Sequence, residues 1–147
     1  MPRSKTTNGQ HRRRRRTMER MGSAAVEMAV VAPLFFLMLM GMIEFGRLVM
    51  VQQVLTNAAR EGARVGILDN RTAADVQSAS NQFLSAAGVS GATVNVTPDP
   101  PSSAPAGSPV TVTITVPFSQ VSWLPSPIFI HNLNLTANAT MRRETVQ

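Results

Sequence analysis

An α+β fold carried on a membrane helix is predicted by three features of the sequence. Residues 23–43 form an apolar run long enough to cross a bilayer. Helical spacing of apolar residues continues from there to about Leu68 and resumes over Thr72 to Gly88. From Ala92 onward the period changes to two, as in half-exposed antiparallel strands. The expected architecture is a long N-terminal transmembrane helix that continues outward, a short second helix, and a small three- or four-stranded antiparallel sheet. By residue, 1–22 read as a basic cytoplasmic leader, 23–43 as the span and 44–68 as its outward extension. Residues 69–147 read as an exported α+β domain with a proline-rich loop at 98–109.

Charge is concentrated at one end. Residues 1–20 hold eight basic side chains, among them Arg12 to Arg16, against Glu19 alone. From Met21 onward there are six basic and seven acidic residues, so the net charge of +6 describes an arm and not a basic domain. The arm has no aromatic residue and no hydrophobic periodicity, and it is expected to be disordered. Clustered arginines attract phosphate, but next to an apolar run they read as the cytoplasmic flank of a membrane helix. Nucleic acid is therefore not an expected partner, and the C-terminal part is expected to be exported. Met18 and Met21 offer alternative translation starts.

Within the span, Met28 to Ile43 carry no charged or strongly polar side chain. Pro33 and Gly41 are tolerated in membrane helices, although Pro33 is expected to kink this one. Glu44 and Arg47, three residues apart and able to pair, mark the outer interface. Past them, Leu48, Val51, Val54 or Leu55, Ala58 and Ala59 recur at three- and four-residue spacing, so the helix should end near Asp69 and Asn70. Within it Ala58, Gly62 and Gly66 recur every four residues. Small side chains on one face let another backbone approach closely, and a mid-helix glycine costs about 1 kcal/mol.

The second helix, TAADVQSASNQFLSAAG, puts Val76, Ala79, Phe83, Leu84 and Ala87 on one face. Asn70 or Thr72 can cap its start and Gly88 its end. Strands follow at Ala92 to Thr97, Val110 to Val116 and Leu133 to Met141, with Ile128 to Ile130 at or just before the last. The stretch Pro98 to Pro109 cannot be strand interior, because proline donates nothing to a ladder.

No enzyme is legible. The chain has no cysteine or tyrosine, and past the long helix its acids are Asp69, Asp75, Asp99 and Glu144, with His131 the one histidine. None is spaced as an acid/base pair or a metal-ligand set, so no catalytic, cofactor-binding or metal site is expected. Three Asn-x-Thr triplets begin at Asn95, Asn134 and Asn138, and alternating Asn/Thr strands produce such triplets by composition alone. Trp123, among prolines, reads as a packing anchor.

Glu27 is the anomaly. A carboxylate at a bilayer centre costs roughly 2.5–3.5 kcal/mol on insertion scales. Either Glu27 lies near enough to the cytoplasmic edge to reach water, on an ordinary single-pass anchor that presents a binding domain, or it has a partner. A secretory signal cut after the run is a poor fit, since Met42-Ile43-Glu44-Phe45 offers no small-x-small site.

The stretch Gly22-Ser23-Ala24-Ala25-Val26-Glu27 resembles the processing site of type IV prepilins, with a glycine closing the basic arm and a glutamate five positions on. From Gly22 to Leu68 the sequence is similar to the TadE-like family of minor pilins or pseudopilins of tight-adherence (Flp-type) pilus systems. NAAREGAR, with Asn57, Arg60, Glu61 and Arg64, looks like that family's signature, and the ATMRRE ending, Ala139 to Glu144, is similar too. The resemblance implies a bacterial inner-membrane protein, cut between Gly22 and Ser23 by a prepilin peptidase. It implies other pilins or pseudopilins and the pilus assembly machinery as partners. It also implies that Glu27 pairs with a subunit's new α-amino group, so that neither charge stays alone in a low-dielectric setting. Flp-type major pilins have tyrosine after that glutamate; Met28 stands here, which argues against the major subunit.

Overall fold

A computed structural model describes residues 8–122 and 133–143, with side chains from residue 22 onward. The chain divides into two units, Met1–Ile43 and Glu44–Gln147. Helix α1 runs from Asn8–Gly66, with Pro33 inside it. The arginine arm is thus helical from Asn8, not disordered as its composition implied. Arginine, methionine, glutamate and glutamine are good helix formers, and extending an existing helix avoids the cost of nucleating one.

In the first unit, every described side chain is exposed except the half-buried Ala32. Val26, Val30 and Leu34 are 68%, 73% and 70% exposed, and Phe35 and Phe36 pack only edge to face with each other, 6.0 Å apart. A helix that is apolar all round and packs on nothing calls for hydrocarbon as its surroundings.

The second unit is built on the last turns of α1, helix α2 (Ala73–Ala86) and strands β1 (Thr93–Thr97), β2 (Pro109–Pro117) and β3 (Asn134–Arg142). The sheet is antiparallel throughout, in the order β1-β2-β3. Sequence alternation located all three strands to within a residue at each end. Pro109 and Pro117 sit at the two ends of β2, where a missing N–H is tolerated. Ile128 to Ile130, Trp123, His131 and Glu144 lie outside the described residues.

The core forms where α1, α2 and the inner face of the sheet meet. Val51, Leu55, Ala58, Ala59 and Ala63 of α1 are fully buried, as are Val110, Val112, Ile114 and Val116 of β2. Each such valine, leucine or isoleucine contributes about 1.5–3 kcal/mol of burial. Side-chain amides tie helices to strands: Gln52 Nε2 donates to the Thr136 carbonyl at 3.0 Å, and Gln77 Nε2 to the Val94 carbonyl at 3.3 Å.

Both ends of α2 are capped. The Thr72 hydroxyl accepts from the Asp75 amide, and the Asp75 carboxylate accepts from the Thr72 amide at 2.9 Å, a reciprocal capping box. At the other end Val89 N–H bonds to Leu84 O at 2.9 Å and Gly88 N–H to Ser85 O at 3.0 Å, with Gly88 at φ +70°. That left-handed turn is where glycine is favoured. The buried stripe of α2 is Val76, Ser80 and Leu84. Phe83, expected on that face, is 39% exposed, because the four-residue ladder drifts round the helix away from it. Helix α1 ends at Gly66, slightly earlier than expected, and Asn70 takes φ +58° in the turn that follows, a conformation asparagine tolerates.

Candidate assembly surfaces on the long helix

Gly22, Ser23 and Glu27 all lie on helical backbone with exposed side chains, and a β-carbon added at Gly22 would meet nothing within 4 Å. Glu27 is flanked by Val26 and Met28, 68% and 65% exposed. Its carboxylate is therefore displayed on an apolar helix surface, with no hydrogen bond or ion pair to another described residue.

The NAAREGAR stretch divides cleanly by face. Ala58, Ala59, Gly62 and Ala63 are buried, while Asn57, Arg60 and Arg64 are exposed and Glu61 is half-exposed. The small residues pack against the chain's own second unit. A β-carbon at Gly62 would collide with the Ser80 hydroxyl of α2 and lie 3.3 Å from Val76 Cγ1 and Val112 Cγ1. One at Gly66 would lie 3.2 Å from Val110 Cγ1 and 3.3 Å from Val76 Cγ2. Ser80, fully buried, donates from Oγ to the Ala58 carbonyl at 3.3 Å. The sequence marked a face built for close approach; within this chain, α2 and β2 approach it.

The charged residues of the same stretch point outward. Arg64 grips Glu61 with two hydrogen bonds, Nε to Oε2 at 3.0 Å and Nη2 to Oε1. The hydrogen bonds from Arg64 hold the Glu61 carboxyl below the usual carboxylate range, and Glu61 in turn raises the Arg64 guanidinium. Among the described residues neither Asn57 nor Arg60 has a side-chain partner. Arg47 is anchored to the domain, with Nε donating to the Val121 carbonyl at 3.1 Å. One carboxylate oxygen of Glu44 is shielded from solvent without a hydrogen-bond partner.

Two further acids, Asp69 and Asp75, have structural work. Asp69 accepts from Arg143 at 2.8 Å. Asp75, its carboxyl held below the usual range chiefly by the Thr72 backbone amide, caps α2. Among the described residues no three His, Cys, Asp or Glu side chains gather into a metal-binding group.

Sequence reasoning missed Arg143. Its Nη1 donates to the Ser102 and Ala104 carbonyls, both at 2.7 Å, and Nη2 to Asp69. One guanidinium thus ties the proline-rich loop, the end of β3 and the turn after α1 together. The only sequence signal is an arginine pair closing a strand, which does not announce its partners.

These features define a class, an α+β domain preceded by one apolar helix of membrane-spanning length, as in single-pass membrane-anchored proteins. Within that class, residues 22–64 match the family model described as TadE-like protein, the family the sequence resembled. The matched segment covers Gly22, Ser23 and Glu27, the apolar helix and the NAAREGAR stretch. No curated protein and no solved structure matches the chain.

Proposed function

We propose that the chain is a non-enzymatic minor pilin or pseudopilin that takes part in assembling a tight-adherence type pilus or a related secretion apparatus. It sits in the bacterial inner membrane with the arginine arm in the cytoplasm and the α+β domain exported. A prepilin peptidase cuts after Gly22. Glycine weakens a helix by about 1 kcal/mol, which favours local opening at that point.

The observation that carries this reading is the exposure of Glu27 on an apolar helix surface inside the TadE-like segment. Cleavage would place a cationic α-amino group at Ser23, and a carboxylate on the same helix of a neighbouring subunit would neutralise it. The pair forms only on association, so two charges that each resist the bilayer become a reason to assemble. Before assembly Glu27 is about one turn from the cytoplasmic edge and reaches water there. Asn57, Arg60 and the Glu61–Arg64 pair, on the outward face of α1, are the polar contacts offered to the assembly machinery.

The test is the intact mass and N-terminal sequence of the protein purified from its native membrane. A mature chain beginning at Ser23 is expected. A chain that keeps the arginine arm overturns the processing step and leaves Glu27 an interfacial carboxylate on a stand-alone anchor.

A further inference from the structure

Within the second unit, the outward side of α1 changes chemistry at one level. Eight residues from Glu44 to Gly66 are exposed. The first four, Phe45, Gly46, Val49 and Met50, are apolar. The last four, from Gln53 to Arg64, are polar or charged. The change falls between Met50 and Gln53, about two helical turns beyond Ile43, where the uncharged run ends.

The first charges past that run do not mark the level. At about 100° per residue, Glu44 and Arg47 fall on the side of the buried Val51 and Leu55, and both are half-buried. Arg47 Nε donates to the Val121 carbonyl, and one Glu44 carboxylate oxygen is shielded from solvent. The charges thus turn toward the domain. On the opposite side Phe45, Val49 and Met50 carry the apolar surface of the run past them.

We propose that the outward face from Phe45 to Met50 is a lipid contact, seated in the acyl chains of the leaflet on the domain side. The membrane boundary on that side of the helix then lies between Met50 and Gln53. Continuity commits the face to lipid: it prolongs, without a polar break, a surface that already calls for hydrocarbon. In water, three large side chains would forgo the burial that apolar surface gains elsewhere. A second helix fits less well. Close helix packing in membranes uses small residues four apart, and Gly46 has methionine at both such positions, Met42 and Met50. A tilted helix leaves hydrocarbon at different residues on its two sides. Here the sides are Glu44, toward the domain, and Met50, on the underside. The proposal rests on the chain being membrane-anchored and is independent of pilus assembly.

The chain has no cysteine, so single nitroxide labels can be placed without background. The experiment reconstitutes the full-length protein, as Phe36→Cys, Val49→Cys, Met50→Cys or Asn57→Cys, in phosphatidylcholine/phosphatidylglycerol vesicles. All four side chains are exposed, so a label displaces no core contact. Collision of each label with dissolved oxygen, which enters hydrocarbon, is compared with collision with a chromium oxalate anion, which does not. The oxygen-to-chromium ratio at Val49 and Met50 is expected to match that at Phe36. It should exceed that at Asn57 by at least about tenfold, because an anion is excluded from hydrocarbon. Ratios at Val49 and Met50 equal to that at Asn57 overturn the proposal and return the boundary to Glu44 and Arg47. Shielding from both reagents, with dipolar broadening that disappears on dilution with unlabelled protein, also overturns it and assigns the face to a second copy of the chain. A water-like ratio at Phe36 as well overturns the membrane anchoring itself, and is thereby told apart from failure of the lipid contact alone.

Discussion

Arg143 and Asp69, 74 residues apart in the chain, meet at 2.8 Å through Nη2 and Oδ1. The same guanidinium holds the Ser102 and Ala104 carbonyls, and the Arg143 backbone bonds to Gly107 and Ser108. With its side chain 17% exposed, Arg143 closes the domain at the end of the sheet. Arg143→Ala should cost about 1.5–3 kcal/mol, the range for hydrogen bonds to a charged group. Urea denaturation of the purified protein measures this, and an unchanged midpoint refutes the stapling role.

A side chain at Gly62 would compete for space with the Ser80 hydroxyl. Gly62→Ala drives a methyl into the Ser80 hydroxyl and should destabilise by about 1–3 kcal/mol. Ser80→Ala removes the colliding atom along with its bond to Ala58. In a double-mutant cycle the pair should lose less than the sum of the single losses, and strict additivity would sink the proposed contact.

The capping box makes α2 sensitive to acid. The Asp75 carboxyl is held below its ordinary 3.8 by hydrogen bonds from Thr72. A group depressed in the folded state stabilises above its unfolded pKa, and that stabilisation is lost as pH falls through the lower folded value. Glu61, depressed by Arg64, acts in the same direction. Amide exchange over α2 should therefore be flat from neutral pH to about 4 once corrected for intrinsic rates, and protection should fall below that. Thr72→Ala should cost about 1 kcal/mol at neutral pH and remove much of this acid sensitivity.

Glu27→Ala should leave cleavage at Gly22 intact while weakening co-purification with other pilins by about a hundredfold or more, the loss expected when one member of a buried ion pair is removed. Normal co-purification would show that the carboxylate does no pairing.

The strands were legible because β2 alternates so strictly: Val110, Val112, Ile114 and Val116 are fully buried between half-exposed threonines. The caps Thr72 and Gly88 were legible because local chemistry places them. Ala58, Gly62 and Gly66 could be read as a close-approach face, but not what approaches it, since Ser80 and Val112 come from elements that only the tertiary fold brings there. Arg143 was illegible for the same reason: its partners are two main-chain carbonyls and an aspartate far off in sequence. The arginine arm misled through composition, because charge density says little about whether a chain of good helix formers extends an existing helix. Phe83 misled because seven-residue spacing from Val76 ignored the drift of the buried stripe.

The last turns of α1 are interior to the domain, since Val51, Leu55, Ala58, Ala59 and Ala63 form one wall of its core. The domain therefore has no detachable stalk. A recombinant fragment begun after Gly66 would forfeit that wall and expose the inner face of β2, so a soluble version has to begin near Glu44. By the same logic, a pull on α1 is borne as shear across a packed interior, spread over many side chains at once, and not at a single hinge peptide.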